Sequence, residues 1–153
     1  MRLAREVCMR TVIDNAYIAY RSMRRRLQGT LWPPELDPLC AILVDNIWRN
    51  GSSIGIASLR IRLALPASTL STALRRLEDD GLIRRYQNRT DGRYVEVVLT
   101  RAGEAIAPGL ADLITEVEVD VHESAGGPAR GGFARVAWML AAMDEDVGQI
   151  IND

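Results

Sequence analysis

Between Ser68 and Arg93 the chain carries side chains suited to gripping a polyanion rather than to making or breaking bonds. Ser68, Thr69, Ser71 and Thr72 are short hydroxyls, and Arg75 and Arg76 follow them directly. A hydroxyl bonds a phosphate oxygen or a base edge at close range. An arginine fork matches the O6 and N7 of a guanine. Arg89 and Arg93 flank Asp91-Gly92 further on. Two cations on a narrow turn suit a minor groove whose narrowing concentrates negative potential. Arg60 and Arg62, upstream, serve equally well as phosphate partners or as plain surface.

Covalent chemistry has no comparable set. His122 is the one histidine, beside Glu123 and Ser124. Adjacent helical residues point in different directions, whereas a nucleophile, its base and an orienting group must converge. Cys8 and Cys40 match no zinc spacing and no disulfide framework. There is no glycine-rich phosphate loop and no carboxylate metal motif. The expectation is a protein without enzymatic activity, metal or cofactor.

The elements that position these groups are legible from periodicity. Leu70, Ala73, Leu74 and Leu77 recur at helical spacing. They predict a helix over residues 66–80 whose opposite face holds Ala67, Ser68, Ser71, Thr72, Arg75 and Arg76, with Thr69 at the margin. Gly81 stands where a helix takes a left-handed terminal residue. Val95, Val97 and Leu99 then alternate with Tyr94, Glu96 and Val98, which is strand spacing. Asp91-Gly92 is a hairpin turn signal. A short helix over 57–64 precedes the pattern, and residues 54–56 read as a small strand added to the hairpin. Helix, turn, helix and ribbon in that order describe a winged helix-turn-helix.

Flanking it are longer apolar stripes. Met9, Val12, Ile13, Ala16, Tyr20, Met23 and Leu27 predict a helix over about residues 2–28. Asp37 can cap a helix over about 38–50, with Pro38 in its first turn. Thr100 can cap another running to about His122, with Pro108 marking a kink or a late start. Residues 125–132, AGGPARGG, read as a connector to a last helix carrying Phe133, Val136, Leu140, Met143 and Val147. Apolar stripes too long for a small core to cover are partner surfaces. Two such termini predict a homodimer.

The 153 residues suffice for one domain, and 48% are hydrophobic. Net charge is only −1, but it is unevenly spread. Residues 1–30 hold seven Arg against Glu6 and Asp14, residues 58–93 hold eight Arg against four acids, and residues 94–153 hold three Arg against eleven acids. Every one of the nineteen basic residues is Arg, a planar and permanently charged fork. No apolar run spans a bilayer and Met1 opens no signal peptide, so a reducing cytoplasm is the expected location.

Residues 59–85, LRIRLALPASTLSTALRRLEDDGLIRR, followed by Asp91-Gly92-Arg93, Leu99-Thr100 and Gly103, resemble the DNA-binding core of the MarR family of bacterial transcription regulators. The family's wing carries an Asp-x-Arg pair, then a strand ending Leu-Thr and a nearby Gly, all present here. Asp79 and Asp80 depart from its more basic run at that place. The resemblance implies a mainly α fold with a small β wing. Residues 1–153 would form a single domain, with 1–30 and 101–151 as dimerisation helices and 38–100 as the DNA-binding lobe. It implies a repressor of double-stranded DNA acting as a homodimer on a palindromic operator, with Asp91 pairing with a wing arginine and Arg93 as the wing's probe. It also implies a small, often phenolic, effector between the dimer helices and the lobe. Tyr17, Tyr20, Trp32 and Trp48 are candidates to line such a site, although core packing accounts for them as well. A redox-sensing regulator switched by Cys8 is one alternative. A winged-helix interaction module without DNA binding is the other.

Overall fold

The computed structural model describes residues 20–22, 24–26, 36–87 and 94–125, and singly residues 132, 135 and 137. The expected first helix is represented by residues 20–22 and 24–26, which are helical. The last helix lies almost wholly outside the described residues.

The first complete helix, α1, spans Pro38–Arg49. The Asp37 carboxylate caps it, accepting from the Leu39 N–H at 2.9 Å, and Pro38 occupies a position whose N–H would have no helical partner. Pro38, Cys40, Ala41, Leu43, Val44 and Ile47 are its buried residues, together with Asp45. The expected apolar set of Leu39, Ile42, Leu43, Ile47 and Trp48 is thus rotated. Leu43 and Ile47 are central, while Leu39, Ile42 and Trp48 lie at the edge of the core, half-buried. The small Cys40 and Ala41 take the interior because neighbouring helices approach closely there.

Strand β1 is Ser53–Gly55, helix α2 is Ile56–Leu63 and helix α3 is Ala67–Asp79. Helix α2 therefore begins one residue before the predicted start. It ends at Ala64, which adopts a left-handed φ of 48° although it is not glycine. The Ala64 N–H bonds the Ile61 carbonyl and the Leu65 N–H bonds the Arg60 carbonyl, closing the turn. Helix α3 buries Leu70, Ala73, Leu74 and Leu77, the four predicted positions. Burying each leucine contributes roughly 1.5–3 kcal/mol. Gly81, at φ +71°, ends it where an L side chain would be strained.

Strands β2, Ile83–Gln87, and β3, Val95–Leu99, pair antiparallel with Arg85 opposite Val97 and Tyr86 opposite Glu96. Strand β1 joins the other side of β3, Ile54 opposite Val97, for a sheet ordered β1-β3-β2. The wing tip, residues 88–93, lies outside the described residues. Thr100 then links sheet to helix: its hydroxyl donates to the Gly81 carbonyl at 2.6 Å and accepts from the Gly103 N–H at 3.1 Å. Helix α4 runs Arg101–Ala125 with Pro108 inside it. The late start considered for Pro108 is corrected: Thr100 caps the helix, which begins at Arg101, seven residues earlier. Pro108 is exposed, so the Glu104 carbonyl it leaves without an N–H faces water. Gly103 is sterically required, since a Cβ there would stand 2.2 Å from the Leu82 carbonyl oxygen. The mainly helical fold with a small three-stranded antiparallel sheet is that of a winged helix.

Candidate nucleic-acid interface

Helix α3 divides cleanly into two faces. Its apolar stripe is locked into the core, so its orientation is set by packing rather than by any partner. Ala67, Ser68, Thr69, Ser71, Thr72, Arg75 and Arg76 are all exposed on the rest of its surface. Thr69, expected at the margin, is among them. Capping does not occupy the first-turn hydroxyls. Pro66 is the N-cap and makes no side-chain cap bond. Among the described residues the hydroxyls of Ser68, Thr69, Ser71 and Thr72 make no hydrogen bond to protein.

Open furrows lie on both sides of α3. One, of about 430 Å³, runs against α1 between Asp37, Cys40, Thr69, Thr72 and Arg76. The other, of about 360 Å³, runs against α2 and the sheet between Arg60, Ala67, Ser71, Arg85 and Tyr94. The helix is therefore a ridge with a polar crest. A ridge of that kind fits a groove about as wide as the major groove of B-DNA, which admits one α-helix.

Charge reinforces the shape. Arg75 forms no ion pair among the described residues, not even with Asp79 four residues on along the helix. Arg76 lies at the edge of the α1 furrow. Arg60 has a structural duty: its Nε donates to the Leu65 carbonyl at 3.2 Å, across the turn that precedes α3. The Arg62 guanidinium donates to Asn50 Oδ1 at 3.3 Å and is exposed. Asp79 and Asp80 lie at the far end of α3, beyond the hydroxyl cluster. Arg89, Asp91 and Arg93, including the proposed wing salt bridge, lie outside the described residues.

Sequence reasoning missed several contacts. Arg84 stands exposed on β2, the outward member of an alternating strand. Arg85 donates from Nε and Nη2 to Glu78 Oε2 at 3.0 and 2.6 Å, joining the last turn of α3 to the sheet. That bond and the charge of Arg85 hold the Glu78 carboxyl below the usual glutamate range. No local spacing rule announces a pair seven residues apart across a helix end. Asp45 is 5% exposed and accepts from Arg49 Nε at 2.7 Å. Here a signal existed: an acid and an arginine four apart on a helix meet on one face.

The aromatic candidates separate. Tyr20 lines a cavity of about 490 Å³ with Arg24, Leu39, Ile42, Leu65 and Thr69. Trp48 packs against the core instead. Tyr17 and Trp32 lie outside the described residues, as does Cys8. Cys40 is 1% exposed and its thiol donates to the Ala73 carbonyl at 3.8 Å. Burial, with the negative charge of Asp37 as a smaller cause, pushes its pKa up to about 11. It stays a thiol at neutral pH and is a poor nucleophile. Among the described residues no group of three His, Cys, Asp or Glu is placed to hold a metal, and no helix is long and apolar enough to cross a membrane.

Residues 42–95 match the family model described as MarR family. The chain is 28% identical over 96 residues to the uncharacterized HTH-type transcriptional regulator YwhA of Bacillus subtilis, an alignment covering 63% of this chain and 68% of that one. It is 34% identical over 71 residues to the HTH-type transcriptional regulator SarZ of Staphylococcus haemolyticus, covering 46% of this chain and about half, 48%, of that relative. Among solved structures, reduced AbfR bound to DNA superposes with a TM-score of 0.68 at 21% identity, covering 95% of this chain and 97% of that one. The organohalide-sensing RdhR regulator in its 2,4-dichlorophenol-bound form gives 0.69 at 15% identity, covering 87% and 79%. At such identities the likeness to solved structures carries the fold alone.

Proposed function

We propose, from the match of residues 42–95 to the MarR family model, that the chain is a sequence-specific DNA-binding transcriptional regulator of MarR type, a repressor that grips a palindromic operator as a homodimer. The observation that carries this reading is the exposed crest of α3. Hydroxyls and an Arg75 that have no partner among the described residues project from a helix whose back is locked by Leu70, Leu74 and Leu77. The N-terminal turns of α3 would enter the major groove. Ser68, Thr69, Ser71 and Thr72 would bond phosphates and base edges, and Arg75 would fork onto a guanine. Arg76 would take a flanking phosphate. The wing, through Arg89 and through Arg93 stiffened by Asp91, would enter the adjacent minor groove.

Residues 1–153 form one functional unit in this reading. Residues 1–30 and 101–151 dimerise, and residues 38–100 read DNA. Support for the dimer is the course of α4: Ala107 and Leu110 are buried in the lobe, whereas Leu113, Ile114 and Val117 are only half-covered and Val119 is exposed. An apolar stripe that outruns its own core fits a second copy of the same helix.

The Tyr20 cavity is where a small effector would act. Leu39, Ile42 and Leu65 give it an apolar wall and Arg24 gives it a cation, which suits a small aromatic acid. Thr69, on the crest, also lines it. An occupant would thus bear directly on the DNA-reading helix and release the operator. In this reading the protein works in the cytoplasm, alongside its DNA partner. The test is a mobility shift with fragments from beside the protein's own gene, repeated with salicylate. The reading expects a discrete complex that survives excess non-specific DNA and weakens with the acid. Retardation that competitor DNA abolishes completely would reject sequence-specific regulation.

A further inference from the structure

Arg49 does something that neither the reading crest nor the effector cavity requires. It sits at the end of α1 and faces α4, the helix that leaves the lobe. Its Nε is held at 2.7 Å by the carboxylate of Asp45, which is itself buried. Its Nη2 reaches across to α4, donating to Thr115 Oγ1 at 3.1 Å and to the Ala111 carbonyl at 3.4 Å. The Thr115 hydroxyl in turn donates back to the same Ala111 carbonyl at 2.7 Å. The three groups close a ring of hydrogen bonds around one turn of α4.

That turn is a mechanically sensitive place. A threonine hydroxyl bonded to the carbonyl four residues back tends to bend a helix. Pro108, one to two turns earlier, has already removed a rung of the same helix. Below Ala111, α4 is fixed by Gly103, Ala107 and Leu110, all buried. Above Val117 its side chains are exposed as far as they are described. Thr115 therefore lies in the last turns by which α4 packs against the lobe, just before Val117, its last partly buried residue among those described. A guanidinium is suited to hold such a point, because one planar fork presents separate donors to two partners at fixed angles.

We propose that Arg49, anchored by Asp45, is a positioning residue: it sets the angle at which α4 leaves the DNA-reading lobe and so the separation of the two α3 helices in the dimer. The inference rests on the dimeric DNA-binding reading given above. Helix α4 rises about 1.5 Å per residue, so Thr115 stands about 20 Å from the helix start, and a swing of about 10° there shifts one end by about 3.5 Å. Successive base pairs are about 3.4 Å apart. Small freedom at this joint is therefore enough to change which operator spacing fits, without touching the residues that read bases.

The test uses the full chain and operators selected by the wild type from random DNA. The selected half-sites are then held constant while the spacer between them is lengthened or shortened by single base pairs. Wild type is expected to show one preferred spacing. Arg49→Met and Thr115→Val are expected to flatten that profile across neighbouring spacings while half-site base preferences stay unchanged. Thr115→Val alters an exposed residue and leaves the Asp45–Arg49 pair in place, so it serves if Arg49→Met folds poorly. Arg49→Lys keeps the charge but not the fork, and is expected to flatten the profile as Met does. A sharp profile at the wild-type spacing in all three variants overturns the positioning role while leaving the regulator reading intact. Failure of the wild type to select any DNA overturns both.

Discussion

Arg85 places both Nε and Nη2 on a single carboxylate oxygen of Glu78, at 3.0 and 2.6 Å. The pair ties the end of helix α3, the proposed reading helix, to strand β2 and so to the root of the wing. Both side chains are partly exposed, 30% for Arg85 and 39% for Glu78, so water screens their attraction. The pair's worth is then at the modest end for ion pairs, ~0–1 kcal/mol. Its value is geometric: it fixes the wing relative to the crest.

The pair also makes a pH prediction. The folded-state pKa of Glu78 lies below its unfolded value, chiefly through the hydrogen bond from Arg85. The stabilisation is therefore fully present above the ordinary glutamate range and is lost as pH falls through the lowered folded value. Glu78→Gln should be less stable than wild type at pH 7 by no more than ~1 kcal/mol, and the gap should close in acid. Urea denaturation of both proteins at pH 7 and pH 3 measures this. A gap that widens in acid would show that Glu78 is not stabilised as a carboxylate.

Cys40 should be chemically silent in the native protein. Its thiol is buried and its pKa is about 11, so almost no thiolate exists at neutral pH. Iodoacetamide followed by peptide mass analysis should leave Cys40 unmodified until the chain is unfolded. Rapid native labelling of Cys40 would contradict its placement against Ala73.

Two core substitutions should unfold the lobe by different routes. Leu74→Ala removes a fully buried side chain from the back of α3 and should cost ~2–5 kcal/mol by leaving a cavity. Gly103→Ala adds a methyl where the Leu82 carbonyl already stands, 2.2 Å from the Cβ position. Overpacking of this sort costs about 1–3 kcal/mol or more. Thermal melts would register both as lowered midpoints. A neutral Gly103→Ala would mean that α4 can slide away from the sheet.

Arg93→Ala bears on the wing as a second reader. The sequence puts Arg93 directly after the Asp91-Gly92 turn signal. Its loss should weaken operator binding and reduce the slope of log affinity against log salt by about one unit per site. Titrations at two salt concentrations suffice, and an unchanged affinity and slope would remove the wing from the interface.

The fold was largely legible because its main signals are local. Leu70, Ala73, Leu74 and Leu77 carry a helical period that packing merely fills, and Asp37 and Thr100 are caps whose chemistry needs only their immediate neighbours. The winged order followed from a change of period between Leu77 and Val95. What escaped was set by tertiary geometry. The inward rotation of α1 onto Cys40, Val44 and Asp45 depends on how closely α3 and α4 approach it. The left-handed Ala64 has no glycine or asparagine to announce it. The reach of Arg49 to Thr115 joins residues 66 positions apart. At the crest, residue types alone identified the hydroxyls and arginines, but not that Arg75 stays clear of Asp79 or that Arg60 is committed to the turn before α3.

The most direct test of the DNA-reading account is selection of operators from a randomised library by wild type and by Arg75→Ala. In the proposed symmetric dimer, two α3 helices would present two copies of Arg75 to the duplex, about one helical turn, ~10 bp, or a multiple of it apart. If Arg75 forks onto a guanine, its loss should cost ~1–3 kcal/mol and relax the preference at one base pair in each half-site, symmetrically placed. Contact with phosphate alone would instead lower affinity uniformly across sequences. The account predicts the paired, symmetric relaxation. Identical selected sequences bound with identical affinity by both proteins would contradict it, because the crest of α3 would then not be the face that meets DNA.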